Sequence, residues 1–253
     1  MQSNIDIDMI GNENYERVAS MYDQFRLQNL KTFSSNSINR NSTGRSIQVS
    51  ETCKKTITIV FWDISGFSKL SKLFYLMDTE NIILEFLEEY YRIASCIIAH
   101  NNGVWDKTIG DGIMSWFGFF EKNPVEKTIG MDDGALDAIN AAIELKSSFL
   151  NLKNKVISDW KIDGHNPDFN IKCGINTGQA HIGLFYDQFT ALGTNVNIAS
   201  RLQEYAKGDQ IIISNTTMEK VYSKGFDFRR ISVDSNNPIK SFEDIDCCYE
   251  ILV

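Results

Sequence analysis

The stretch FWDISGFSKL, Phe61–Leu70, decides how the rest of the chain is read. It completes the run TITIVFW, residues 56–62, whose β-branched content and length are those of a buried strand. Asp63 stops that run, Gly66 follows, and a helix-like pattern resumes. An acid at this point is either punctuation at a strand end or the seat of chemistry. A strand that turns into a helix gathers backbone N–H groups where phosphates bind well, and Gly66 allows close approach of the backbone. An acid beside a phosphate needs a cation between them, usually Mg²⁺ held by one or two carboxylates and the phosphates themselves.

Strands and helices alternate beyond this stretch. Residues 79–100 form a helix in which Thr79 is the expected cap. Its apolar face runs through Ile82, Ile83, Phe86, Leu87, Tyr90, Ile93, Ala94 and Ile97, and Asn102-Gly103 ends it. VWDKTIGDGIMSWFGFF predicts a hairpin around an Asp-Gly turn, and DDGALDAINAAIELKSSFLNL a second long helix. FNIKCGINTGQAHIGLF alternates as a strand does, TNVNIASRLQEYA predicts a helix, and DQIIIS a strand leading to a short helix at NTTMEKVY. CCYEILV closes the chain as a strand. The expected fold class is α+β, an antiparallel-rich sheet with helices packed on it. Ahead of this domain, residues 1–33 read as a helical arm, and residues 34–54, rich in Ser and Asn, as a flexible linker. The domain itself is expected over 55–253.

Composition excludes several function classes. The chain has 253 residues and a net charge of −8, so no basic footprint for nucleic acid is present overall. Its five cysteines, Cys53, Cys96, Cys173, Cys247 and Cys248, lack C-x-x-C spacing, which points to a reducing, cytoplasmic setting. The N-terminus carries acids where a signal peptide carries bases, and no apolar run approaches the ~20 residues needed to span a bilayer.

Two further clusters carry candidate chemistry. Asp111, in KTIGDGIMSWFG, is what a tight hairpin demands; if the strand ends lie side by side it also pairs with Asp63. Two neighbouring acids repel unless a metal sits between them, and such a pair could hold two ions for in-line displacement at phosphorus. Asn197 and Arg201 stand i, i+4 on one helix face, opposite the apolar Val196, Ala199 and Leu202. That face is either solvated or suited to an anionic, hydrogen-bonding ligand, since Arg matches phosphate geometry.

Taken in order, FWDISGFSKL, DKTIGDGIMSWFG, IKCGINTGQAHIG and TALGTNVNIASRL resemble the catalytic domain of class III nucleotidyl cyclases, over about residues 56–252. The resemblance implies a ferredoxin-like core and two Mg²⁺ or Mn²⁺ ions per site, held by Asp63, Asp111 and the Ile64 carbonyl. It implies that Gly66, Phe67 and Ser68 cradle the β- and γ-phosphates. Arg201 matches the arginine that steadies charge on the α-phosphate, and Asn197 the asparagine that orients the ribose. In NPIKSFED, Lys240 matches the lysine that binds the terminal phosphate, with Ser241 where glycine is usual. Lys107 and Thr190 match the base-selecting pair of the adenylate subclass. A lysine donates to adenine N1, whereas guanine carries an N–H there.

The implied activity is conversion of ATP to 3′,5′-cyclic AMP and pyrophosphate. The alternatives are a cyclase for GTP, CTP or UTP, and a non-catalytic module that binds nucleotide as a regulator. In the family the aspartates and the Lys/Thr/Asn/Arg set come from different subunits. One chain carries both sets here, which implies a homodimer with two composite sites.

Overall fold

The computed structural model describes residues 52–119, 133–160, 168–185, 188–233, 238–242 and 244–253. The arm at 1–33 and the linker, up to residue 51, lie outside the described residues. The elements run β1 (Thr52–Ser65), α1 (Phe67–Leu76), α2 (Glu80–His100), β2 (Val104–Ile109), β3 (Gly112–Phe117), α3 (Ala135–Trp160), β4 (Asn170–Phe185) and β5 (Gln188–Leu192). They continue with α4 (Thr194–Tyr205), β6 (Ile211–Ile213), α5 (Asn215–Val221), β7 (Phe228–Ser232) and β8 (Cys247–Ile251). β1 begins at Thr52, inside the stretch read as linker. β5 and β7 are strands that the sequence reading did not name.

The eight strands among the described residues form one sheet in the order β2-β3-β1-β4-β6-β8-β7, with β5 paired to β4. Every pairing is antiparallel except β4 with β6. That parallel pair needs a crossover, and α4 lies in the connection between its strands. The result is the expected α+β class.

Side chains of β1 alternate between the two faces, as the two-residue period of a strand requires. Val60, Trp62 and Ile64 enter a core shared with α1, α2 and α3, where Phe74, Phe86, Tyr90, Leu145 and Phe149 pack. Ile57, Ile59 and Phe61 face the other way, into a core closed by Val196 and Ala199 of α4. α4 sits directly on β4: a Cβ at Gly174 would stand 2.1 Å from the backbone nitrogen of Gln203. Only glycine allows that approach.

Thr79 occupies the residue before α2, but its hydroxyl makes no cap; it donates to the Phe74 carbonyl at 3.5 Å. Its backbone, at φ −130° and ψ 36°, lies outside the extended region from which a cap side chain turns back onto its helix. The long helix predicted to end at Leu152 continues to Trp160, whose ring packs edge-on against Phe74 at 4.4 Å. Tertiary contact extends the helix past its predicted end.

Candidate active site

Strand alternation sends Asp63 to the α4 side of the sheet, and Trp62 to the opposite core, where it is buried. The indole is therefore no obstacle beside the acid. Gly66 follows with φ +84°, a left-handed value that suits glycine, and a Cβ there would meet the Asp168 carbonyl at 2.4 Å. α1 starts at the next residue, so Phe67 and Ser68 form its first turn. Gly66 offers no side-chain cap, and its carbonyl accepts from Lys69 and Leu70. First-turn N–H groups have no partner within a helix, so this turn presents donors near Asp63.

β2 and β3 close around Gly110-Asp111, with Ile109 opposite Gly112. The turn is thus Gly-Asp, one residue earlier than the Asp-Gly reading, and Gly112 opens β3. β3 is antiparallel to β1, with Trp62 opposite Ile113, so the turn falls beside the end of β1. Asp111 Oδ2 accepts from the Ile64 backbone N–H at 3.2 Å. Burial, and then the charge of Asp63, raise the Asp111 carboxyl above its ordinary range. Asp111 therefore lies close enough to Asp63 to feel its charge.

Asp63 has a partner that the sequence reading missed. Lys172 lies opposite it in the β1/β4 register and places Nζ 3.1 Å from Asp63 Oδ2. No group of three or more His, Cys, Asp or Glu side chains gathers among the described residues. Two converging carboxylates, one raised by burial and by the other's charge, with few protein ligands to spare, fit an ion that completes its shell with water and substrate phosphates. That is the habit of Mg²⁺.

The second half of the site lies on β2 and β5. Lys107 donates to Thr190 Oγ1 at 2.9 Å, so the two residues expected to select the base are joined in one chain. Beneath them lies Asp106, also missed; its side chain is 0% exposed. It accepts from Trp116 Nε1 at 2.8 Å, from Thr190 Oγ1 at 2.8 Å and from the Ala191 N–H at 3.0 Å. Its Oδ1 lies 3.1 Å from Lys107 Nζ.

Asn197 and Arg201 project from α4 away from its buried Val196, Ala199 and Leu202. Arg201 pairs with Glu204 of the same helix at 2.5 Å. Among the described residues, neither Asn197 nor Arg201 bonds to Asp63 or Asp111. Lys240 is exposed at a turn that the Phe242 N–H closes onto the Ile239 carbonyl at 2.9 Å. Ser241, third in that turn, has φ +66°.

This mostly antiparallel sheet with helices packed on it is the fold of solved cyclase catalytic domains. The chain belongs to the adenylate and guanylate cyclase catalytic domain family, whose model matches residues 48–240. It is 31% identical over 204 residues to the terminal-differentiation-specific adenylate cyclase of Dictyostelium discoideum, covering 78% of this chain and 9% of that protein. The adenylyl cyclase CyaB from P. aeruginosa superposes with a TM-score of 0.66 at 26% identity, covering 80% of this chain and 96% of that one. Relatives of other base specificity match too, among them a cytidylate cyclase of Escherichia coli, 25% identical over 65% of this chain and 35% of that protein. The chain spans 9% to 38% of the curated relatives it matches. No helix among the described residues is long and apolar enough to cross a membrane.

Proposed function

We propose that this cyclase domain converts ATP to 3′,5′-cyclic AMP and pyrophosphate at sites shared between two copies of the chain, as a cytoplasmic source of a signalling nucleotide. The observation that favours ATP over GTP is the Lys107–Thr190 bond of 2.9 Å, which holds a donor and a hydroxyl together as one pair for reading a base. Lysine offers a hydrogen to adenine N1; guanine has its own hydrogen there.

Asp63 and Asp111, with the Ile64 carbonyl, would hold Mg²⁺ or Mn²⁺. A divalent ion bound there would lower the pKa of the ribose 3′-hydroxyl and offset the charge that builds on the departing pyrophosphate. The chain's own residues do the rest. The first turn of α1, at Gly66, Phe67 and Ser68, binds the β- and γ-phosphates, and Lys240 the terminal one. Asn197 orients the ribose so that O3′ faces the α-phosphorus. The O3′–P bond forms as the bond to the bridging oxygen of the β-phosphate breaks, and the hydroxyl proton passes to water. Arg201 steadies the charge that develops on the α-phosphate.

The composite site rests on α4. Arg201 is engaged with Glu204 of its own helix and makes no bond to the acids of its own chain. A second copy, packed head to tail, would bring its Asn197 and Arg201 to these acids. Incubation with ATP, GTP, CTP and UTP separately, with Mg²⁺ or Mn²⁺, tests the reading. Cyclic AMP as the main product supports it. Cyclic GMP as the main product sinks the assignment to ATP, and no cyclic product from any of the four sinks the enzyme reading.

A further inference from the structure

The buried Asp106 has no part in the chemistry described above. β2 slips register against β3 between Trp105 and Lys107, so Asp106 is the extra residue of a β-bulge. A regular strand would send Asp106 and Lys107 to opposite faces; a bulge re-aims its residues. Here both reach Thr190.

The hydrogens of this triad can be counted. A carboxylate accepts and does not donate; an ammonium donates and does not accept. The Thr190 hydroxyl therefore receives a hydrogen from Lys107 at 2.9 Å and gives its single hydrogen to Asp106, 2.8 and 2.9 Å from the two carboxylate oxygens. The other internal partner of Thr190 Oγ1 is the Ala191 carbonyl at 3.5 Å, again an acceptor. No hydroxyl hydrogen remains for a ligand, and Thr190 faces a base with a lone pair alone. Lys107 spends one N–H on Thr190 and one on Asp106, which leaves its third for the base.

We infer that Asp106 is a positioning residue that fixes the polarity of the base pocket, one acceptor at Thr190 beside one donor at Lys107. The ligand that fits is a nucleoside triphosphate whose base carries an exocyclic amine next to an unprotonated ring nitrogen. Adenine has this pattern, and so does cytosine. On the corresponding edge, guanine at O6/N1 and uracil at O4/N3 have a carbonyl next to a ring N–H and mismatch at both positions. Buried hydrogen-bonding groups left unpaired make such discrimination steep. Trp116 and the Ala191 N–H hold Asp106 from behind, at 2.8 and 3.0 Å, so the carboxylate cannot turn away.

The inference rests on the reading that Lys107 and Thr190 face the base, and the test separates the two. kcat and KM are measured for ATP, CTP, GTP and UTP on the full chain, on Asp106→Asn, on Thr190→Val, on Lys107→Ala, and on the Asp106→Asn/Thr190→Val double variant. The full chain should prefer each amino base over its keto partner by at least about 100-fold in kcat/KM. In Asp106→Asn the amide can donate to Thr190, which frees the hydroxyl hydrogen. The preference should then fall by about 10-fold or more, mainly through KM, and have no further effect in the Thr190→Val background. If Lys107→Ala and Thr190→Val leave base preference unchanged, the pair does not read the base and both proposals fall. If they change it and Asp106→Asn does not, the inference about Asp106 alone falls. Should Asp106→Asn not fold, as judged by circular dichroism, the unaltered chain decides. Turnover of GTP or UTP as efficient as that of ATP and CTP overturns the polarity argument, and a preference for both amino bases that Thr190→Val abolishes sustains it.

Discussion

The two ends of the site solve opposite electrostatic problems. At the proposed base end, the Asp106 side chain is wholly buried yet meets a donor on every side, from Lys107, Trp116, Thr190 and Ala191. At the acid end, Asp63 and Asp111 converge with Lys172 as their one cationic partner, beside backbone N–H groups that include that of Ile64. The first arrangement is complete as it stands, so it can hold a fixed hydrogen-bond pattern for a ligand to match. The second is short of positive charge, which is what a site for a divalent ion must be before it binds one. An internally satisfied polar cluster and an unbalanced acid pair thus lie on one sheet, and mutation should affect them differently.

The largest effect is expected at the acid end. Asp63→Ala should lower cyclic nucleotide formation by about 10³-fold or more, because several kcal/mol of charge stabilisation leave with the ion and each ~1.4 kcal/mol is tenfold in rate. The fold should stay intact, since Asp63 is partly exposed and its loss opens no core cavity. Cyclic product formed at the unaltered rate would remove Asp63 from the site. Mixing provides the next test. Chains carrying Asp63→Ala or Arg201→Ala are each expected to be inactive, but an equal mixture forms mixed dimers in which one of two sites is whole. About a quarter of the normal activity should return if the chains exchange freely. No recovery after confirmed exchange would show that the acids and Arg201 act within one chain.

A subtler test concerns stability. Burial and the charge of Asp63 raise the Asp111 carboxyl, so the metal-free folded state holds that proton more tightly than the unfolded state does. The sign follows: folding is favoured most below the ordinary aspartate range, and that advantage is lost as pH rises through the raised folded value. Asp111→Asn removes the ionisation while keeping an oxygen for the Ile64 N–H. In chelator at pH 7 it should melt about 2 °C higher than the unaltered chain, with the gap closing as the pH falls below the aspartate range. A lower melting temperature at pH 7 would mean that the acid pair is not under strain. Activity should be lost all the same, so function and stability pull apart at this residue.

How much of this was legible before the structure depends on whether the signal was local. β1, the β2–β3 hairpin, α2, α4 and β6 announce themselves by periodicity within a few residues. β7 does not: its sequence FRRIS is mostly exposed, and Arg229 pairs with Glu250 of β8, so no apolar alternation marks it. The acids at 63 and 111 could be proposed from strand ends, and their meeting depends on a β1/β3 register that the sequence does not print. Lys172 was hidden for the same reason, since it reaches Asp63 through a pairing more than 100 residues apart in sequence. Asp106 was hidden by the opposite fault. It is adjacent to Lys107, and strand alternation argued that the two should diverge; the bulge that reunites them has no signature in VWDKTIGDG.

The smallest expected effect lies at Ser241, and it bears on which end of the site Lys240 serves. The turn Ile239–Phe242 is closed by a 2.9 Å bond, and Ser241 holds φ +66° at its third position while Lys240 before it stays outside the left-handed region. A turn of that pattern asks for glycine at the third position, because a Cβ there is strained. Ser241→Gly relieves about 1 kcal/mol of that strain but adds freedom to the unfolded chain, so the net gain should be about 0.5 kcal/mol, or 1–2 °C in melting temperature. The geometry that Lys240 needs would be kept, since glycine takes the same φ at no cost. If Lys240 grips the terminal phosphate, Lys240→Ala should raise KM for the triphosphate about tenfold and leave the base preference alone, whereas Ser241→Gly should change neither. A Lys240→Ala chain with altered base preference would instead tie this turn to the Asp106 end of the site.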